Sequence, residues 1–179
     1  MLRIPLSKAE VRSYQAGDAA AIVKHANNRK IWRNLRDGFP HPYKIENAKE
    51  FLEMVAQQSP KTFFCIANDE AIGGIGFKMS TDVERFSAEI GYWLSESFWG
   101  QDITTEALES VTKYAIKTHK LNRLFALPYE WNKASFRVLE KVGYVCEGRL
   151  HCSAFKDGQV IDQLLYAYTV ENCKNQGRR

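Results

Sequence analysis

Apolar and polar positions follow two rhythms along this chain. A period near 3.6 marks helices; a period of 2, or a short apolar run, marks strands. Residues 9–14 read as a strand. Gly17-Asp18 then opens a helix, with Asp18 placed as its cap and 19–26 rich in alanine. Residues 27–41 keep neither period and predict an irregular stretch rich in Arg, Asn, Gly and Pro. From Tyr43 the helical period returns, with Ile45, Ala48, Phe51, Leu52 and Val55 on one stripe. The centre is strand-like. TFFCIA at 62–67 is a short apolar run, Asn68-Asp69-Glu70 is a turn, and 71–79 is the hairpin partner. A second turn, Ser80-Thr81-Asp82, leads to a third strand at 85–94.

The rhythm changes after Ser95. Residues 96–104 read as a loop, and a long helix follows with Ile103, Ala107, Leu108, Val111, Tyr114 and Ala115 on one face. Thr104 and Glu106 suit its start; Lys117, His119 and Lys120 suit its end. A strand at 123–129 and a helix at 132–142, stopped by Gly143, come next. Strands at 144–155 and 159–169 flank the hairpin turn Lys156-Asp157-Gly158. The order β-α-α-β-β-β-α-β-α-β-β predicts an α/β (α+β) fold. Its sheet is mixed and mostly antiparallel, with about seven strands and about four helices. The long helix joins strands 85–94 and 123–129 as a crossover, which calls for parallel pairing there.

Length and charge narrow the function. The 179 residues suit one domain, expected over 1–171, with 172–179 a flexible basic tail. Lysines and arginines number 25 against 21 acids, a net charge of +4. Three of those four charges are Lys174, Arg178 and Arg179 in the acid-free tail, so the body carries only +1. That small excess does not call for nucleic acid, and no basic stripe or nucleic-acid motif supports one. Cys65, Cys146, Cys152 and Cys173 form no C-x-x-C pair and read as reduced thiols. The four histidines are scattered, so no metal site is expected. No apolar run approaches the roughly 18 residues of a membrane span. These features predict a cytoplasmic protein and leave monomer and homodimer both open.

The junction from Trp99 to Glu106 is the most informative stretch. A helix N-terminus after a glycine-bearing loop offers unpaired N–H groups and a partial positive charge, a ready anion site. It is neither a Walker loop nor a dinucleotide fingerprint. A plain helix cap is the alternative. Gly73-Gly74-Ile75-Gly76 lies inside a strand and reads as a packing or bulge feature.

GYWLSESFWGQDITTEALESV (91–111) and EWNKASFRVLEKVGYVCEGRL (130–150) resemble the GNAT N-acetyltransferases, in particular the RimJ and RimL ribosomal-protein acetyltransferases. VRSYQAGDAAAI, FPHPYKIENAKEFL, AIGGIGF and DGQVIDQLLYAYT agree, so the resemblance spans about 11–169. It implies a GNAT fold splayed at the central parallel strand pair, acetyl-CoA as co-substrate, no metal, and a primary-amine acceptor. A protein or peptide N-terminal amine heads the acceptors. Small amines such as polyamines or antibiotics, or a degenerate CoA-binding module without turnover, are the alternatives.

The resemblance implies that the pyrophosphate rests on the start of the long helix, at Trp99, Gly100, Gln101, Asp102, Ile103, Thr104 and Thr105. Asp102 stands where the family usually has glycine, and Thr104 where it has Gly or Ala. A carboxylate there should repel phosphate, and a non-glycine residue should strain a positive φ. Pantetheine would pair with the backbone of Trp93 and Leu94. A neutral amine then attacks the thioester, a tetrahedral oxyanion forms, and the CoA thiolate leaves. Glu89 is the candidate base and Ser135, in Asn132-x-x-Ser135, the candidate acid. Leu139 occupies the place of the tyrosine acid of many relatives. Asn132 is a further cofactor contact, or simply a helix cap. Glu106, the other acid weighed as a base, reads rather as structural, complementing the helix dipole. Trp32, Arg33, Asn34 and Phe39 are expected to line the acceptor groove, in a loop also carrying Arg29, Lys30 and Arg36. Solvated arginines with Trp32 and Phe39 as core anchors are the alternative.

Overall fold

A computed structural model describes residues 2–170. The expected tail, 172–179, lies outside the described residues. Among the described residues there are eight strands: β1 (Arg3–Pro5), β2 (Glu10–Arg12), β3 (Phe63–Asn68), β4 (Glu70–Met79), β5 (Ser87–Leu94), β6 (Arg123–Ala126), β7 (Val145–Lys156) and β8 (Gln159–Thr169). The helices are α1 (Ala19–Ala26), α2 (Arg29–Trp32), α3 (Ile45–Gln57), α4 (Ile103–His119) and α5 (Lys133–Val142). One mixed sheet runs β1-β2-β3-β4-β5-β6-β8-β7. The pairing of β5 with β6 is parallel, as the crossover required.

Among the described residues the sheet has eight strands against the about seven expected, and there are five α-helices against the about four expected. The extra strand is β1, three residues whose register runs Arg3–Arg12 to Pro5–Glu10 against β2. The extra helix is α2, a single turn capped where the Asn28 side chain accepts from the Lys30 amide at 2.8 Å. The strand expected over 123–129 ends at Ala126, because Pro128 has no N–H for a ladder. Tyr129 rejoins only as an isolated bridge to Gln163. Asp18 precedes α1 but makes no side-chain cap there. Its carboxylate turns back to Arg12, at 2.7 and 2.8 Å, and to the Gln15 amide at 2.8 Å.

Main-chain packing divides the chain into two compact units. One takes residues up to Gly76 together with Gly91–Ala107; the other takes Phe77–Ile90 and the described residues from Leu108 onward. The core of the first gathers Ile22, Ala26, Tyr43, Ala48, Leu52, Cys65, Ala67 and Ala71. Ala48, Leu52 and Val55 of the predicted α3 stripe are buried, whereas Ile45 is exposed at its start. In the second unit α5 buries Phe136 and Leu139 and ends at Gly143, whose φ of 95° suits glycine. The β7–β8 turn takes positive φ at both Asp157 (53°) and Gly158 (77°), the conformation that matches strand twist.

Candidate active site

The end of β5 is shaped by glycines on β4. A Cβ on Gly73 would lie 2.6 Å from the Trp93 carbonyl oxygen, and one on Gly74 2.3 Å from Tyr14 Oη and 2.7 Å from Trp93 Nε1. Only glycine permits that approach, so the glycine run is a packing feature. The Trp93 ring packs against Phe39, with centroids 5.7 Å apart, on the core of the first unit. Its side chain is thus committed to packing. Leu94 is buried, and its carbonyl accepts the Trp99 indole N–H at 2.8 Å. The ladder between β5 and β6 covers only Ser87–Glu89 opposite Arg123–Phe125, although β5 continues to Leu94.

Beyond β5 a single 3₁₀ turn, Glu96–Phe98, delivers Trp99 to the start of α4. Gly100 and Asp102 both have positive φ, 73° and 60°. Asp102 therefore adopts the left-handed conformation expected to favour glycine, one that aspartate tolerates better than most residues. Its carbonyl accepts the Glu106 amide at 3.0 Å, the first bond of the helical ladder. The N–H groups of Ile103, Thr104 and Thr105 precede that ladder and carry the positive end of the dipole. Ile103 is fully buried and anchors the turn. The Asp102 carboxylate accepts Thr105 Oγ1–H at 3.4 Å, which keeps it in the first turn. Gln101 Nε2 reaches the Ser97 carbonyl at 3.4 Å. This arrangement can hold an anion through backbone donors.

Glu106 accepts from the Ser7 amide at 2.7 Å and the Ser7 hydroxyl at 2.5 Å. Those bonds favour its charged form and hold it below the usual carboxylate range. Glu106 thus ties α4 to the β1–β2 turn, a partner that the dipole argument did not supply.

In the second unit, Glu89 is half-buried on β5 opposite Phe125. Asn132 caps α5, accepting from the Ser135 amide at 3.2 Å. Ser135 is half-buried in the first turn of α5, and Leu139, one turn on, is fully buried. On the acceptor-side loop, the Trp32 ring lies 5.8 Å from His41 and beneath the Arg29 guanidinium at 5.5 Å. Arg33 is exposed, and Asn34 Nδ2 donates to the Lys30 carbonyl at 2.9 Å. Phe39 faces inward, 4.7 Å from Tyr43 and 5.7 Å from Trp93. Sequence reasoning missed His25 and Ser95, whose side chains meet at 2.8 Å. Among the described residues, no group of three His, Cys, Asp or Glu side chains is placed to hold a metal, and no helix is long and apolar enough to cross a membrane.

The profile of the Acetyltransferase (GNAT) domain matches residues 9–145. The ribosomal-protein-serine acetyltransferase of Escherichia coli (strain K12) is 32% identical over 112 residues, 63% of this chain and 62% of that protein. The [Ribosomal protein uS5]-alanine N-acetyltransferase of the same organism is 25% identical over 176 residues, 94% of this chain and 91% of that one. Among solved structures, Mycobacterium smegmatis RimJ in complex with CoA-disulfide superposes with a TM-score of 0.81 at 26% identity, covering 92% of this chain and 83% of that one.

Proposed function

The chain belongs to the GNAT acetyltransferase family, and from that premise we propose that it moves an acetyl group from acetyl-CoA to the N-terminal amine of a protein or peptide. The observation that carries this reading is the start of α4. There, positive φ at Gly100 and Asp102 turns the chain so that three N–H groups precede the helical ladder. They are the donors a pyrophosphate needs. Two relatives named for ribosomal-protein acetylation, at modest identity, support a protein acceptor. So does a loop carrying Arg29, Lys30, Arg33 and Arg36 against the single acid Asp37. A ribosomal-protein acceptor implies a cytoplasmic enzyme.

Acetyl-CoA supplies an activated acyl group on a good leaving group. The residues of this chain supply position and proton transfer. The amides of Ile103, Thr104 and Thr105 hold the pyrophosphate, with Trp99, Gly100 and Gln101 shaping the loop. The main chain of Trp93 and Leu94 pairs the pantetheine amides. Glu89 takes the proton of the acceptor amine, directly or through water. An α-amine titrates at about 8, so much of it is already neutral and the demand on the base is small. Ser135 protonates the departing sulfur, a modest task if that thiol resembles cysteine at about 8.5. Trp32, Arg33, Asn34 and Phe39 belong to the acceptor side; Arg33 is exposed, Trp32 and Asn34 are half-buried, and Phe39 packs on the core of the first unit.

A thiol-release assay tests the reading, with peptides bearing free α-amines, a polyamine and an aminoglycoside as acceptors. Turnover on peptides alone is expected. Turnover on the polyamine alone would move the acceptor to small amines. Heat stabilisation by acetyl-CoA without release on any amine would make the chain a CoA-binding module.

A further inference from the structure

Two polar contacts hold the short link between the end of β5 and the start of α4, and both come from the α1–α2 segment. His25, at the end of α1, meets Ser95 Oγ through Nδ1 at 2.8 Å and Glu70 Oε1 through Nε2 at 3.0 Å. A carboxylate only accepts, so in neutral His25 the proton is on Nε2 and Nδ1 accepts from the Ser95 hydroxyl. Lys24 also pairs with Glu70. One residue on, Glu96 accepts from Asn28 Nδ2 at 2.8 Å and from Lys30. Of these groups, Lys24, His25, Asn28, Ser95 and Glu96 line a groove of about 440 Å³.

A serine, a histidine and a carboxylate in this order also describe an acyl-transfer relay. Ser95 is only 4% exposed, however, and its main chain is fixed on both sides. Its amide donates to the Ile72 carbonyl at 2.8 Å, and its carbonyl accepts from the Phe98 amide at 3.0 Å. A nucleophile must reach its substrate, and this hydroxyl sits inside the turn it helps to form. The contact is a clasp rather than a nucleophile.

We propose that His25 is a positioning residue for the co-substrate, fixing through Ser95 the offset between the strand end at Leu94 and the loop 99–105. This rests on the proposed binding of CoA along both. Pantetheine and pyrophosphate are joined covalently, so the two parts of their site must keep a set spacing. Ser95 is the first residue of the link, and the Trp99 indole closes it by returning to the Leu94 carbonyl at 2.8 Å. Asn28 and Lys30 hold the next residue from α2, so the segment that carries Trp32 and Arg33 grips the same link.

Two conservative variants separate the bonds of His25. His25→Asn keeps a polar group at the Nδ1 position and so the Ser95 contact, while losing Glu70. His25→Gln reaches Glu70 instead and loses Ser95. CoA affinity is read by calorimetry, KM for acetyl-CoA and kcat by thiol release, and folding by thermal melting. His25→Gln is expected to bind CoA roughly two- to tenfold more weakly, the range of one lost hydrogen bond, with kcat nearly unchanged. His25→Asn should recover most of that affinity even if both variants melt lower. Equal CoA affinity in His25→Gln and the wild type, or an equal loss in both variants, overturns the proposal. Failure of the wild type to bind CoA at all removes the underlying reading, and the clasp role with it.

Discussion

Replacing Asp102 by asparagine removes one charge from the start of α4 while keeping a side chain that tolerates its φ of 60°. The carboxylate lies in the first turn, within 3.4 Å of Thr105 Oγ1, on the end of the helix that is to hold pyrophosphate. At roughly 6 Å and an effective dielectric near 40, a unit charge repels each phosphate charge by about 1.4 kcal/mol. Physiological salt removes roughly half of this, and two phosphate charges restore it, leaving about 1.4 kcal/mol, or tenfold in affinity. Asp102→Asn should therefore bind CoA about tenfold more tightly, and the gain should grow as salt is lowered. Stability should move the other way. A negative charge at a helix N-terminus is worth about 0.3–1 kcal/mol, so the variant should melt roughly 1–4 °C lower. Calorimetric titration at two salt concentrations, with a melting curve for each protein, reads both signs. Equal CoA affinity at both salts would refute the reasoning, since it would mean that the carboxylate does not face the phosphates.

Other outcomes follow from the same geometry. Gly74→Ala forces a Cβ to within 2.3 Å of Tyr14 Oη and should cost about 1–3 kcal/mol in denaturant unfolding. Ser135→Ala should slow acetyl transfer while leaving CoA affinity intact; unchanged turnover would remove Ser135 from the mechanism. Asn132→Ala should lose about 1 kcal/mol of stability with its cap. His119 lies between Phe77 and Tyr114, and its buried Nε2 has no hydrogen-bond partner, so burial lowers its pKa. Because the folded value is the lower one, the unfolded chain binds the proton first. The stability His119 provides is present above about pH 6.5 and is lost as pH falls through the lower folded value. His119→Gln should make thermal stability less dependent on pH below 6.5 and leave the slope above pH 7 unchanged; equal slopes in the acid range would contradict this.

Elements with a sustained period were legible in the sequence, because burial of one face imposes it. Of the α4 stripe, Ile103, Ala107, Leu108, Val111 and Ala115 are buried as its spacing required, and Tyr114 is half-buried. β1 and α2 were not legible, since three or four residues are too short to carry a period; pairing with β2 and the Asn28 cap define them instead. The role of the glycine run was legible only as a type, and its partners, Tyr14 and Trp93, come from distant segments. At the site, the left-handed φ of Asp102 followed from a position where the family resemblance implies glycine. The His25–Ser95 contact did not, because it joins residues 70 positions apart with no shared pattern. Glu106 was read from the dipole alone, whereas Ser7, 99 positions away, supplies its hydrogen bonds.

The central claim is that the start of α4 holds the pyrophosphate of CoA. Titrating isotopically labelled protein with CoA and following each backbone amide by NMR tests it most directly. The amides of Gly100 to Thr105 should shift most, with those of Trp93 and Leu94 following, and pantetheine alone should move only the latter pair. Binding of CoA that leaves the amides of Ile103, Thr104 and Thr105 unmoved would contradict the account.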